Sequence, residues 1–400
     1  MNLKTTFPAL LGLLLPLLAQ AQWVSQNSTT SEVLLGVSFV DNTRGWACGT
    51  TGKILHTFTG GQTWVNIPSG TTKFLRDIWM HNIQEGIAIG ESGLILRTTN
   101  GGQSWQPVSS GTSEHLVHLH FTDSLNGMIS GQGGVLLRSL NGGMSWQPMQ
   151  SGTTVELPGI YLTNTLIATA VGFGGKILRT TNGGSQWAVQ SSGVTGDLRS
   201  VYFVNQDTGF VVGLGGRILR TFNAGENWQP MFSGTTADLY DVHFTDSNHG
   251  TAVGKGKILH TTDGGETWLN QSVAFSGDLY AVDFSDASHA WTVGQQGRIF
   301  HNATSSAVSS AFVEKIRLTL APNPTHGSLQ IRFETMEAVT LIFSVQNSTG
   351  QVVSISPAQY FNAGSHALEM GAEQWPKGVY TMLVNTNSGQ YVGSGKFIKE

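Results

Sequence analysis

Apolar and polar residues alternate along this chain in short runs, each closed by a glycine-rich turn. Between Leu198 and Trp228, an alternation around Val201 and Phe203 leads into Gly209-Phe210-Val211-Val212-Gly213. Arg217-Ile218-Leu219-Arg220-Thr221 follows, then a turn and a Trp segment. Runs of about four to six residues with a period of two predict four short antiparallel strands and leave no length for a helix. The turns before several tryptophans are Asn100-Gly101, Asn141-Gly142, Asn182-Gly183 and Asp263-Gly264, pairs that tolerate the φ > 0 geometry of a tight hairpin.

The same unit recurs. Tryptophans stand at 23, 64, 105, 146, 187, 228 and 268, in steps of 41 residues with a last step of 40. Glycines at 52, 93, 134, 175, 216, 256 and 297 keep the same rhythm, so either ladder counts seven units. One four-stranded unit cannot bury both faces alone, and a ring of seven around a central channel solves this. The prediction is all-β: a seven-bladed β-propeller over residues 22–303. The ladders are out of phase, because the chain starts with a Trp segment at Trp23 and has Ser309 where an eighth Trp would fall. The Trp23 strand should therefore complete the seventh blade.

Composition agrees with this. With 39% hydrophobic and 12% charged residues the chain is not disordered. Glycine takes 51 of 400 positions against a usual share of about 7%, and there are 11 Trp, so turns and aromatic packing dominate. Residues 1–21 read as a secretory signal peptide, with Lys4, an apolar stretch from Phe7 to Ala19, and the ending Ala19-Gln20-Ala21. That stretch is too short to span a membrane, and no later run is comparable, so no transmembrane helix is expected. The formal charge of −4, or −5 without Lys4, gives no field for nucleic acid. Cys48 is the single cysteine, so no intrachain disulfide can form, and its strand context predicts a small buried core residue. Residues 304–314 form a small-polar linker, and residues 315–400 alternate again (Leu341, Phe343, Val345, then Val352, Val353, Ile355) as a small Ig-like β-sandwich.

The hairpins resemble the Asp-box or BNR pattern: Thr261, Asp263, Gly265, Thr267 and Trp268 fit it, and Thr98, Asn100, Gly102, Ser104 and Trp105 show its Asn form. Unit five departs, with Ala224 after Asn223. The wider unit around residues 175–187 resembles the propeller family of photosystem II stability and assembly factors, which implies a partner-binding role. The tail resembles the type A C-terminal sorting domain of the type IX secretion system through Pro322-Asn323-Pro324, Gly350, Ala363-Gly364, Gly378-Val379-Tyr380 and Lys396-Phe397-Ile398-Lys399. Ala321 and Asn347 depart from that pattern. The resemblance implies engagement of the secretion machinery, tail removal, and release or attachment at the outer-membrane surface.

Candidate chemistry sits in repeat slots. The residue after each Ile-Leu pair or its equivalent is basic: His56, Arg97, Arg138, Arg179, Arg220, His260 and His301. Such a ring can be a collar for oxyanions, or each side chain can pack between blades and satisfy turn carbonyls. Blades four and five are the most basic sector, with Lys176, Arg179, Arg199, Arg217 and Arg220 against Asp197 and Asp207. The candidate ligand-binding set is therefore Arg179, Arg199, Arg217, Arg220, Arg97 and Arg138. His115, His118 and His120 invite a metal reading, but His120 shares a slot with Trp79, Tyr161, Tyr202, His243 and Asp283, read as variable and outward, so no metal and no cofactor is expected. The aromatics of that slot suit packing, or stacking on sugars or partner side chains. Sialidases share Asp-boxes, yet no Tyr–Glu pair stands outside the repeat. A two-carboxylate glycoside hydrolase would draw on Asp77, Asp241 or Asp283. The reading that follows is a secreted or cell-surface propeller that binds an unidentified protein or glycan. A sialidase-like or other glycoside hydrolase and a structural surface-layer component are the alternatives.

Overall fold

The computed structural model describes residues 23–271, 273–303, 318–335, 338–348, 352–356, 359–386 and 391–400. The expected signal peptide, the linker 304–314 and Gly350 of the sorting motif lie outside the described residues. The chain divides into two compact units, residues 1–306 and 307–400.

The first unit is built of seven four-stranded antiparallel sheets. The first sheet runs Leu34–Phe39, Gly45–Gly49, Lys53–Thr57, Val65–Pro68, and the next five repeat this order. In the seventh, Leu279–Asp286, His289–Gly294 and Ile299–Ala303 are joined by Trp23–Gln26, which pairs Trp23 with Asn302 and Gln26 with Ile299. The offset of the two ladders is thus resolved by pairing the ends of the unit. First strands of successive sheets pack on one another around the ring, and the seventh packs on the first. This is a β-propeller.

The core lies between sheets, not within them. Ile87, Ile89 and Ile95 of sheet two pack against Leu116, Phe121, Ile129 and Trp146 of sheet three. Second strands such as Gly86–Gly90 are buried at every position because both of their faces are covered. Each large apolar side chain so buried contributes on the order of 1.5–3 kcal/mol. Fourth strands are mostly exposed, and Pro107, Pro148 and Pro230 there remove a donor from an open sheet edge.

The glycine ladder has a steric cause. Gly216 has φ +71°, and a Cβ on it would stand 2.0 Å from the carbonyl oxygen of Thr235 in the following loop. The hairpin pattern is likewise a hydrogen-bond device. The Asp263 carboxylate accepts from the Thr267 N–H at 2.9 Å and the Thr267 hydroxyl at 2.6 Å, while Thr261 Oγ1 accepts from the Gly265 N–H. In unit five, Ala224 holds φ +56° where the other hairpins use glycine, a conformation that costs an L-residue about 1 kcal/mol.

The second unit has two antiparallel sheets. Thr319–Ala321, Ser328–Thr335 and Gly364–Gly371 form one. Val352–Ile355, Val339–Asn347, Gly378–Thr386 and Tyr391–Lys399 form the other, with Gln359–Phe361 also paired to Val339–Asn347. Leu329, Ile331, Phe333, Phe343, Met382 and Phe397 fill a single core between them. Asn323, Gly378, Tyr380 and the Lys396–Lys399 run of the sorting motif meet at one edge, while Gly364 pairs with Thr335 in the other sheet. Asn323 Oδ1 accepts the Ile398 N–H at 2.9 Å, and its Nδ2 donates to the Lys396 carbonyl. Pro322 and Pro324 flank that Asn, each after a cis peptide bond. Gly364 opens its strand, Gly378 pairs with Lys399, and the buried Tyr380 stacks on Phe397 and donates to the Pro376 carbonyl.

Candidate functional site

The seven first strands surround a channel of about 820 Å³. Being innermost, each presents an edge that no further strand can pair, and its N–H groups need acceptors. The preceding sheet supplies them. Asp77 Oδ2 accepts the Leu119 N–H at 2.9 Å, and Asp241 Oδ2 accepts that of Val282 at 2.9 Å. One step further along the strand, Ser38 Oγ accepts from Met80, His120 Nδ1 from Leu162, and Asp283 Oδ2 from Phe39 at 2.6 Å. The last of these ties sheet seven to sheet one. All three aspartates of the hydrolase reading are therefore acceptors in the joints between sheets.

The slot of His120 points into the channel, not outward as the sequence pattern suggests. Trp79, His120, Tyr161, Tyr202 and His243 follow one another around the wall, with ring centroids 4.0 to 5.2 Å apart. Burial pushes the Asp77 carboxyl up to about 7 and raises that of Asp241, outweighing the backbone N–H groups whose hydrogen bonds favour the anion of each. Burial also drives His120 down to about 3, helped by His118 and His243. His118 stands 3.9 Å from Asp77, while His115 accepts the Ser92 N–H instead, so the three histidines do not converge. Among the described residues no group of three or more His, Cys, Asp or Glu could hold a metal ion. Cys48 is fully buried beside the Leu75 carbonyl.

The basic set divides between two rims. Arg97, Arg138, Arg179 and Arg220 lie at the hairpin ends of third strands. Arg97 Nε donates to the Gly142 carbonyl and Arg179 Nε to that of Ala224 at 2.7 Å, each in the next sheet; Arg138 donates to Gly183 and Thr165. Arg220 pairs with Glu266 at 2.8 Å and lies over Phe222. Arg199 and Arg217 are at the other rim, beside the turns between second and third strands. Arg217 donates to the Leu214 carbonyl, and Arg199 lies 4.7 Å over the Phe173 ring and lines the channel. The candidate binding set read from the sequence leaves out Arg76, which occupies the same strand position as Arg199 three sheets away. In both, Nε is buried with no hydrogen-bond partner among the described residues. Tyr240 and Tyr280 share that rim and stack at 5.4 Å, and burial pushes the Tyr240 hydroxyl up to about 12.

Among the described residues no helix is long and apolar enough to cross a membrane. A search of curated proteins finds no match. Solved structures do match. YCF48 bound to D1 peptide is 21% identical, with TM-score 0.63 over 72% of this chain and 96% of that one. YCF48 from Cyanidioschyzon merolae is 20% identical, with TM-score 0.60 over 71% and 99%. The WD40 β-propeller domain of Doa1 is 10% identical, with TM-score 0.62 over 72% and 98%. The family model for the photosynthesis system II assembly factor YCF48 matches residues 15–111, 64–201 and 221–324, and that for the secretion system C-terminal sorting domain matches 319–400. The chain thus belongs to the YCF48-type family of photosystem II assembly factors and carries a secretion-system sorting domain at its C-terminal end.

Proposed function

We propose that the protein is an exported binding propeller, without enzymatic chemistry, that seats an acidic segment of a protein partner on the rim formed by Arg76, Arg199, Tyr240 and Tyr280. The buried, unpartnered Nε atoms of Arg76 and Arg199 carry this reading. A buried donor left unpaired is costly, neither guanidinium has a carboxylate partner among the described residues, and acidic side chains brought by a partner would give each one charge-assisted hydrogen bonds at its outer nitrogens. The relative solved with a D1 peptide supports a peptide as occupant. The sorting domain supports export by the type IX system to the cell surface or beyond, with the tail as a removable address.

The test is capture from envelope and medium on the immobilised mature protein. Arg76→Ala with Arg199→Ala should abolish retention of a protein that the wild type holds. Retention by the double variant, or loss only on Arg97→Ala, Arg138→Ala and Arg179→Ala, would reject the rim; retention of a glycan alone would replace the partner class.

A further inference from the structure

The half of the channel away from the arginines has a different chemistry. Trp79, Tyr161 and Tyr202 are half-buried, so part of each ring is left open to the cavity. Beside them stand the carboxylates of Asp77, Asp241 and Asp283, and among the described residues no Lys or Arg pairs with any of the three. This wall sets carboxylates beside π faces, with His118 at 3.9 Å from Asp77 and His243 at 3.4 Å from Asp283 as the basic side chains nearest to them. A cation over such rings, desolvated beside carboxylates, gains from both.

We infer that this inner half of the channel binds a small organic cation, a primary ammonium ion on an aromatic body. The rings receive the body, and the ammonium donates to the free lone pairs of the carboxylates. The whole channel, rim included, holds about 820 Å³, and small-molecule sites take roughly 300–1,000 Å³, so its inner part has room for a ligand of this size. Neutral ligands of the same shape would leave the carboxylates uncompensated. Asp77 and Asp241 directly follow the rim residues Arg76 and Tyr240 in one cavity, so variants at Asp283 and Trp79, which leave the rim in place, separate failure of cation binding from failure of partner capture.

The experiment is isothermal titration of the full mature chain with phenethylamine, using 2-phenylethanol as the neutral match. Asp283→Asn keeps an oxygen for the Phe39 N–H while removing the charge, and Trp79→Leu keeps apolar packing while removing the ring. The expected result is saturable amine binding, weakened about tenfold or more for the alcohol and for each variant. Melting curves identify a variant that fails to fold, in which case the other decides. Equal affinity for amine and alcohol, unchanged binding by both variants, or no saturation up to about 10 mM amine, a Kd well above the usual range for small ligands, would overturn the inference.

Discussion

Trp46 donates its indole N–H to the carbonyl oxygen of Gly101 at 3.2 Å, across the joint between sheets one and two. Its cross-strand neighbour is His56, stacked on it at 4.2 Å. Sheet seven repeats this: Trp291 donates to the Gly60 carbonyl and carries His301 at 4.5 Å. In sheets two to four the slot is Arg, and the guanidinium itself reaches the hairpin carbonyl. Either a third-strand Arg or a second-strand Trp thus serves one recurring acceptor. Trp46→Phe should cost about 1 kcal/mol, read as a lower melting temperature, because the Gly101 carbonyl loses its donor. A melting temperature equal to wild type would show that water replaces the indole fully.

The same logic separates two kinds of arginine. Arg179→Ala should destabilise by about 1–2 kcal/mol and leave partner capture unchanged at temperatures where the fold holds. Arg199→Ala should abolish capture at little cost in stability, since its Nε has no hydrogen-bond partner to lose and only the contact over the Phe173 ring goes with it. Denaturant melts of the two variants beside one capture assay decide this. Capture lost in Arg179→Ala at full stability would return the hairpin rim to the binding role.

Partly or fully buried histidines, one in the channel and two at the joints between sheets, make the fold acid-sensitive. His120 titrates at an ordinary value of 6.5 when unfolded and at about 3 when folded, and His56 and His301 fall to about 4, in each case chiefly through burial. Below pH 6.5 the unfolded chain binds protons that the folded chain refuses, so stability is lost as pH falls. Asp77 acts oppositely: raised from 3.8 to about 7, it favours the folded state at low pH and loses this as pH rises through 7. His118, Asp283 and the Leu119 N–H face it. His120→Asn should lower the slope of unfolding free energy between pH 6 and 4 by about 1.4 kcal/mol per unit. An unchanged slope would place His120 in a more solvated setting than its burial implies.

Steps of the glycine ladder are not equivalent. Gly256 has φ +61°, yet the nearest atom to a Cβ there is the Ser276 carbonyl oxygen at 3.2 Å, because this turn, Lys255-Gly256-Lys257, is one residue shorter than the others. Gly256→Ala should cost about 1–2 kcal/mol for backbone conformation alone. At Gly216 the Thr235 carbonyl adds a clash at 2.0 Å, so Gly216→Ala should cost about 3 kcal/mol or more. Urea melts of the pair would contradict this if the two losses were equal.

The 41-residue rhythm was legible because it is steric: the glycines and tryptophans occupy places where one residue type fits. The single 40-residue step even marked the short turn at Gly256. What lay across a joint was not legible. Periodicity tells which side of a strand a residue faces, and it could not say that Asp283 reaches Phe39, 244 positions away. It also left open whether Arg179 faces solvent or a neighbour's carbonyl. The slot of His120 read as outward because its residues vary, when variation marks the channel wall, where no apolar layer dictates identity. Arg76 could have been found by aligning it with Arg199, both directly after the first Leu of their strands. Trp46 and Trp291 were signalled only by standing off the Trp ladder.

Asn323 bears the last prediction. Its amide holds the final strand at two points, the Ile398 N–H and the Lys396 carbonyl, and Thr325 adds a donor to the Ile398 carbonyl and an acceptor for the Glu400 N–H. The Lys399 ammonium, largely buried, donates to the His326 carbonyl. The two ends of the tail are therefore one surface, and residues about 75 apart in sequence would be read together by export machinery. Asn323→Ala removes both of its contacts while leaving the core of Phe333, Phe343 and Phe397 intact. Amide exchange at Ile398 should accelerate by about tenfold, the equivalent of 1.4 kcal/mol, with little change at Val345. Export should fall alongside, measured as propeller retained in the periplasm. Normal export with a loosened strand would mean that the machinery reads the C-terminal residues without needing them docked on Asn323.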